Sequence, residues 1–586
     1  MKTSLQFFIP LLFLSFSSLA ASPSVITQSD GNQTSQNEKN SGIGRRHASS
    51  HQSPLQPLFT WDNATIYFLL TDRFYNANPA NDLAYGRKKD AAPLRGYMGG
   101  DLAGITAKIK EGYFNRLGVD AIWLTPPVEQ IHGATDEGSG KSYGFHGYWA
   151  RDFTSVDANL GTEADMRELV DTAHAHGIRI LLDIVMNHVG PQTEQDTAWP
   201  DSWVRHTPVC TYKDVASTVS CTLVQGLPDI RTDSNESTPL PPFLIDKWKA
   251  EGRYAKEIGE LDQFFQRTGY PRAPKYYLMK WHTDWIRKYG VDGFRADTVK
   301  HVEPGVWKEL KQLASSAYEE WKTANPLKKV GDTPFFMTAE VYGYSITEGQ
   351  KFTMDGGSQI NFYQNGFDNL INFGFKSDAK KDREQLFSTY SARLHGDLRG
   401  YSVLNYISSH DDSTPFDLQR QQPFEAATRL LLSPGAAQIY YGDETARDID
   451  MKEAQGDARL RSFMNWDALK ANAMQQDYRI ADVLAHWQKL ASFRRLHPAI
   501  GAGIHQKIND RPYTFKRTYD DHGRHDKVVV ALDLPAHQDN PISVAGIFSD
   551  GQRLRDHYSG KTAIVINGRV TFASQFPIAL IAQDAP

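Results

Sequence analysis

Cysteine is nearly absent from this chain, with only Cys210 and Cys221 among 586 residues. That excludes a disulfide-dense small scaffold, and no further Cys or His stands at a spacing that would build a thiolate metal centre. A basic excess is missing too. The net charge of −5 offers no field for nucleic acid, which is not an expected partner. Long apolar runs are also lacking. The stretch Phe7 to Leu14 falls short of the roughly 20 residues that span a bilayer. It follows Lys2 and precedes Ser18-Leu19-Ala20, the layout of an export signal (residues 1–20) cleaved after Ala20. The mature chain is therefore expected to be secreted or periplasmic, with no membrane contact after cleavage. In such an oxidising compartment Cys210 and Cys221 read as a local disulfide contributing about 2–3 kcal/mol, with free thiols the alternative.

What is present is a large soluble chain. Hydrophobic residues make up 40% and charged residues 23%, and this length divides into two or three domains. Residues 21–59 are rich in Ser, Gln and Asn, bury too little to fold, and read as a flexible leader. Apolar runs then recur at Ala64–Leu70, Ala121–Leu124, Ile178–Leu182, Val291–Arg295, Phe335–Ala339, Ser402–Ile407 and Ala437–Tyr441. Helix-like stretches lie between several of them, among them Thr162–Val170, opened by a threonine cap, and Tyr277–Tyr289. Buried strands alternating with helices over residues 60–504 predict the α/β class and a TIM (β/α)8 barrel. The runs supply all but the sixth strand, which is expected near Gly366–Phe373. Residues 190–260, which hold both cysteines, break the alternation and read as a loop-rich domain inserted after the third strand. Over residues 505–586 the short runs Lys527–Leu532 and Thr562–Ile566 predict a C-terminal antiparallel β-sandwich.

Two of the runs end in a lone acid. They are Gly293-Phe294-Arg295-Ala296-Asp297 and Phe335-Phe336-Met337-Thr338-Ala339-Glu340. A carboxylate at the end of a buried strand costs several kcal/mol unless a partner or a solvated cleft receives it. In one parallel sheet the two strand ends share a rim, and two acids facing across a cleft are what cleavage of a glycosidic bond requires. Polar residues also close Asp183-Ile184-Val185-Met186-Asn187-His188 and Ile407-Ser408-Ser409-His410-Asp411. Barrel active sites lie at the carboxyl edge, so all four segments are expected to converge there. Aromatics reach 12%; most fill the core, and a few near the acids are free to stack on sugar rings.

Further motifs join these: Gly99-Gly100-Asp101-Leu102-Ala103-Gly104-Ile105, Gly144-Phe145-His146-Gly147-Tyr148-Trp149, Leu227-Pro228-Asp229 and Tyr440-Tyr441-Gly442-Asp443-Glu444. From about Thr65 to Glu444 the chain resembles the α-amylase family of retaining glycoside hydrolases, and in particular its secreted or periplasmic bacterial members. The resemblance implies that Asp297 is the nucleophile, Glu340 the acid/base, and Asp411 a third carboxylate that grips sugar hydroxyls. Arg295, on the same side of its strand as Asp297, is expected to hold that acid ionised and lower its pKa. By the same resemblance His146, His188 and His410 hydrogen-bond the sugar, Tyr148 stacks on it, and Lys300 and His301 touch its leaving side. A structural Ca2+ is implied as well, held by Asn187, Asp229 and the backbone carbonyl of His301, with further oxygens completing its 6–8 ligands. Ser408 and Ser409 depart from the family pattern of an acid and an Asn before the His-Asp pair, which predicts altered local hydrogen bonding.

The expected activity is endo-acting hydrolysis of α-1,4 bonds in starch, glycogen or maltodextrins by a retaining double displacement. The expected partner is an α-glucan and the chain is expected to be monomeric. The competing readings are a transglycosylating or cyclising enzyme of the same family, a non-catalytic glucan-binding protein, and a metal-dependent hydrolase.

Overall fold

Eight short apolar runs close into a barrel: β1 (Thr65–Leu69), β2 (Ala121–Leu124), β3 (Arg179–Ile184), β4 (Gly293–Ala296), β5 (Phe336–Ala339), β6 (Asn369–Asn372), β7 (Ser402–Tyr406) and β8 (Ala436–Tyr440). Each pairs in parallel with its sequence neighbour, and β8 returns to β1. The computed structural model describes residues 59–584 apart from 137, 139, 522 and 536. The export signal and nearly all of the expected leader lie outside the described residues.

All eight strands are buried along nearly their whole length, as parallel strands covered by helices on one side and barrel filling on the other must be. Phe68 stacks on Trp123 and Tyr440 inside the barrel. The sixth strand falls within the stretch expected for it, although Asn369 and Asn372 interrupt its apolar character. Those amides are bonded inside the barrel, Asn369 to Thr338 and Asn372 to Asn405, so burial there is compatible with polarity.

Between the strands run helices whose ends are written in the sequence. Glu163–Ala175 begins at Thr162, whose hydroxyl and Asp165 form a reciprocal capping box. Pro274–Tyr289 starts on proline and stops at Gly290 in a left-handed conformation. Among the described residues no helix is long and apolar enough to cross a membrane.

The excursion after β3 is less loop-like than expected. It holds a two-stranded ribbon (Val204–Arg205 with Asp229–Ile230), a short helix (Ala216–Val219), and then two regular helices, Pro242–Ala250 and Tyr254–Thr268. The second buries Leu261, Phe264 and Phe265 at helical spacing, a periodicity hidden in the sequence by the charged residues around it. Cys210 and Cys221 form a disulfide. Beyond the barrel, Ile504–Gln583 folds into a six-stranded antiparallel sheet faced by a two-stranded one. Val529, Ala531, Ile542, Val570, Phe572 and Ile581 fill the space between them.

Candidate active site

The register of the barrel delivers the acids to one rim. Arg295 on β4 lies beside Asp183 on β3 and Thr338 on β5, and Ala296 lies beside Ala339. One residue further on, Asp297 N–H bonds the Ile184 carbonyl at 3.0 Å and Glu340 N–H bonds the Ala296 carbonyl at 3.0 Å. The backbone ladder therefore fixes both carboxylates just past the ends of adjacent strands. Thr298 then turns left-handed, with φ 47°, and its N–H reaches a Glu340 carboxylate oxygen at 2.9 Å. A β-branched residue in that conformation is strained, and the strain is held by the turn that couples the two acids.

Arg295 is the hub. One terminal nitrogen of its guanidinium bonds Asp297 at 2.7 Å and both oxygens of Asp183 at 2.8 and 3.0 Å, while the other meets Glu340 at 3.0 Å. Asp183 also accepts from Trp123 Nε1 at 3.0 Å and from the Tyr148 hydroxyl at 2.9 Å. Three buried carboxyl groups thus share one cation. Burial raises Asp297 to about 6 and outweighs the lowering effect of Arg295. The guanidinium acts in the expected direction, yet the net shift is upward, because four contacts to one cation do not replace lost hydration of three acids. Burial likewise lifts Asp183 to about 6. Glu340 is pushed well above the usual range by burial, with the Asp297 and Asp411 charges adding to it. Asp411 goes the other way: burial works against ionisation, but His410, Arg295 and Arg461 overcome it and lower its pKa. His410 itself is held to about 3 by burial, so above that pH the guanidiniums carry the effect.

The four histidines are neutral imidazoles near pH 7. Burial lowers His146 well below its ordinary value, His188 to about 4, and His301 to about 3. His146 Nδ1 accepts the Tyr148 N–H at 3.1 Å, which leaves its other nitrogen as a donor. His188 Nε2 bonds the Tyr148 carbonyl at 3.0 Å. The Tyr148 hydroxyl sits 2.9 Å from His410 Nε2, and its ring lies nearly parallel to both His146 and His410. Gly147 makes this turn possible: its φ is +90°, and a Cβ there would meet the Pro126 carbonyl at 2.5 Å. Lys300 bonds the Tyr342 carbonyl at 3.2 Å and lies between the rings of Tyr212, Tyr342 and Phe352. His301 is buried beneath Tyr212. Ser409 donates to Asp411 at 3.1 Å and Ser408 to Asp443 at 2.6 Å, so the two departures from the family pattern both serve neighbouring carboxylates.

Asn187 and Asp229 meet where β3 passes into the excursion. Asp229 is 2% exposed, one of its oxygens accepts the Leu223 N–H at 3.0 Å, Oδ1 makes no well-aligned hydrogen bond, and the Asn187 side chain lies beside the carboxyl. Burial raises its pKa well above the carboxylate range. A buried acid with an unfilled acceptor oxygen beside an amide side chain fits a hard divalent ion. Among the described residues no group of three or more His, Cys, Asp or Glu is set to hold a metal. A cation at Asp229 would therefore draw mainly on amide, carbonyl and water oxygens.

The sequence reading did not assign Asp183 or Arg461 to the site. Asp183 carried a usable signal, since it closes an apolar run just as Asp297 does. Arg461, which donates to the His410 carbonyl at 2.8 Å, comes from a loop after β8 and carried none.

A parallel (β/α)8 barrel with acids gathered at the carboxyl ends of its strands has the layout of a barrel enzyme. The profile for the α-amylase catalytic domain matches residues 68–503. The chain is 37% identical over 530 residues to the periplasmic α-amylase of Escherichia coli, covering 80% of this chain and 72% of that one. It is 26% identical over 471 residues to the cyclomaltodextrin glucanotransferase of Paenibacillus macerans, covering 78% of this chain but only 58% of that one. Its fold matches the α-amylase of Geobacillus thermoleovorans solved with acarbose, with a TM-score of 0.61 at 22% identity over 90% of this chain and 100% of that one. The chain belongs to the α-amylase family of glycoside hydrolases.

Proposed function

We propose that the protein is an exported, endo-acting α-amylase that hydrolyses α-1,4 bonds of starch, glycogen or maltodextrins with retention of configuration. The supporting observation is the single guanidinium of Arg295 gripping Asp297 and Glu340 together at the barrel rim. Asp297 is raised only to about 6 while burial pushes Glu340 well above the carboxylate range, so the two acids are driven apart in the order that charges Asp297 first. That is the division of labour a double displacement needs.

In the first step an Asp297 oxygen bonds the anomeric carbon as the glycosidic C–O bond breaks, and the Glu340 proton passes to the departing oxygen. In the second, Glu340 takes a proton from water, whose oxygen bonds the anomeric carbon and releases Asp297. Asp411, kept ionised, is placed to accept sugar hydroxyls. The neutral nitrogens of His146, His188 and His410 supply further hydrogen bonds, and Tyr148 lends a ring to the same sugar. Lys300 and His301 face the leaving side. Calcium would sit on Asn187, Asp229 and the His301 carbonyl, where it supplies structural charge neutralisation rather than chemistry. The residue ranges expected for the signal, leader, barrel, inserted domain and sandwich form the domain plan of this proposal.

Asp297→Asn is the test. A chromogenic maltooligosaccharide assay should show turnover lost by at least about 10³-fold in a normally folded protein, as removal of a covalent nucleophile requires. Full activity would sink the assignment. Chromatography of the products separates hydrolysis from transfer or cyclisation.

A further inference from the structure

The disulfide closes a loop that does more than decorate the excursion. Cys210 N–H bonds the Thr222 carbonyl at 3.0 Å, and Thr222 N–H bonds Pro208 at 2.7 Å, so the loop's two ends are zipped beside the cross-link. From that base two arms reach the residues at the cation seat. On one side Leu223, two positions after Cys221, places its N–H on Asp229 Oδ2 at 3.0 Å. On the other, the short helix Ala216–Val219 packs against the turn Val299–His301. Tyr212 ties the arms together. Its hydroxyl bonds the Leu223 carbonyl at 3.1 Å, and its ring meets His301 edge-on at 5.6 Å. Its backbone is left-handed, with φ 60°, a conformation that a bulky residue keeps only where its surroundings fix it.

We propose that the Cys210–Cys221 cross-link is the positioning element of the cation seat, holding Asp229 and His301 in place for a calcium-class ion. The inference rests on the calcium reading given above. The loop has little core of its own: Thr211, Lys213, Asp214, Ala216 and Ser220 are all exposed. Without the cross-link only two backbone hydrogen bonds hold its ends together, and each binding event must then order the loop more fully. The disulfide does that ordering in advance. Outer contacts that orient metal ligands are typically worth 10- to 100-fold in affinity, and a change of about that size is expected here.

The experiment compares the full-length oxidised protein with Cys210→Ser/Cys221→Ser, both stripped of metal and titrated with calcium while the thermal midpoint is followed. Loss of a cross-link alone lowers the midpoint equally at every calcium level. Positioning adds a second effect: the calcium concentration giving half the stabilisation rises by about 10- to 100-fold. Tyr212→Ala keeps the disulfide, cuts the tie between the arms, and should move the same concentration in the same direction. Asp229→Asn should abolish the response. Half-stabilising concentrations that coincide in the native and cysteine-free proteins would overturn the positioning role. If the double serine variant does not fold, an unmoved value in Tyr212→Ala overturns it instead. A native protein indifferent to calcium would overturn both the seat and its clasp, while leaving the assignment of Asp297 and Glu340 to be judged by the Asp297→Asn assay.

Discussion

Replacing Arg295 by methionine keeps most of the side-chain volume and removes the one cation shared by Asp183, Asp297 and Glu340. In the native protein Asp297 already sits at about 6 with that cation in place. A hydrogen bond to a charged group contributes about 1.5–3 kcal/mol, so its loss should carry Asp297 to about 7–8, at about 1.4 kcal/mol per tenfold. At about pH 6.5 the ionised share of Asp297, the proposed nucleophile, then falls from about three quarters to between about one quarter and a few per cent. Misplacement of the unheld carboxylate costs up to about 10²-fold more, which brings the expected loss in kcat/KM to about 10²–10³-fold. The acid limb of the pH–rate profile should move up with Asp297. Stability gives an independent check. Acids whose folded pKa is raised stabilise the fold at low pH and lose that contribution as pH rises through the folded value. The variant's deficit in Tm should therefore be small below about pH 4 and grow above about pH 6, toward the 3–5 kcal/mol typical of a broken buried pair. Arg295→Lys, which retains a charge but not the fork, should fall between the two. An acid limb that stays in place, or a Tm deficit independent of pH, would refute the reasoning.

Two further outcomes are expected. Glu340→Gln should lose turnover by about 10²–10⁴-fold, the usual worth of a general acid, yet melt higher than the native protein. The carboxyl it replaces has a raised pKa, so the gain should widen with pH; calorimetry at several pH values checks it. Tyr148→Phe removes the hydroxyl that contacts both Asp183 and His410. Leaving Asp183 short of a donor costs about 1–3 kcal/mol, and kcat/KM should fall about 5- to 100-fold with the fold intact; unchanged kinetics would show that this contact does not matter.

Much of the barrel was legible because its strands are buried on both faces and its helices carry their own caps. Ile66-Tyr67-Phe68-Leu69 or Ala121-Ile122-Trp123-Leu124 can hardly be anything but core. The sixth strand was faint because Asn369 and Asn372 break the apolar run, and the bonds they make to Thr338 and Asn405 on neighbouring strands leave no local pattern. The helix Tyr254–Thr268 was missed because its buried positions, Leu261, Phe264 and Phe265, are few among many charges. In the site, the acids announced themselves by closing apolar runs. Asp183 carried the same mark, but only the register with Arg295 shows that it shares the cation.

The chain by itself determined most of the barrel's apolar strands, the capped ends of several helices, and which acids close a buried run, because these follow from local pattern and the cost of desolvation. The direction of the Asp297 shift was settled only in three dimensions. Arg295 alone predicts a lowered pKa; burial of the carboxyl, with the Asp183 charge beside it, reverses it. The same holds for Asp229, whose unfilled acceptor oxygen becomes meaningful only once the disulfide loop folds over it. Charge interactions depend on distance and burial, and neither is a property of neighbours in sequence.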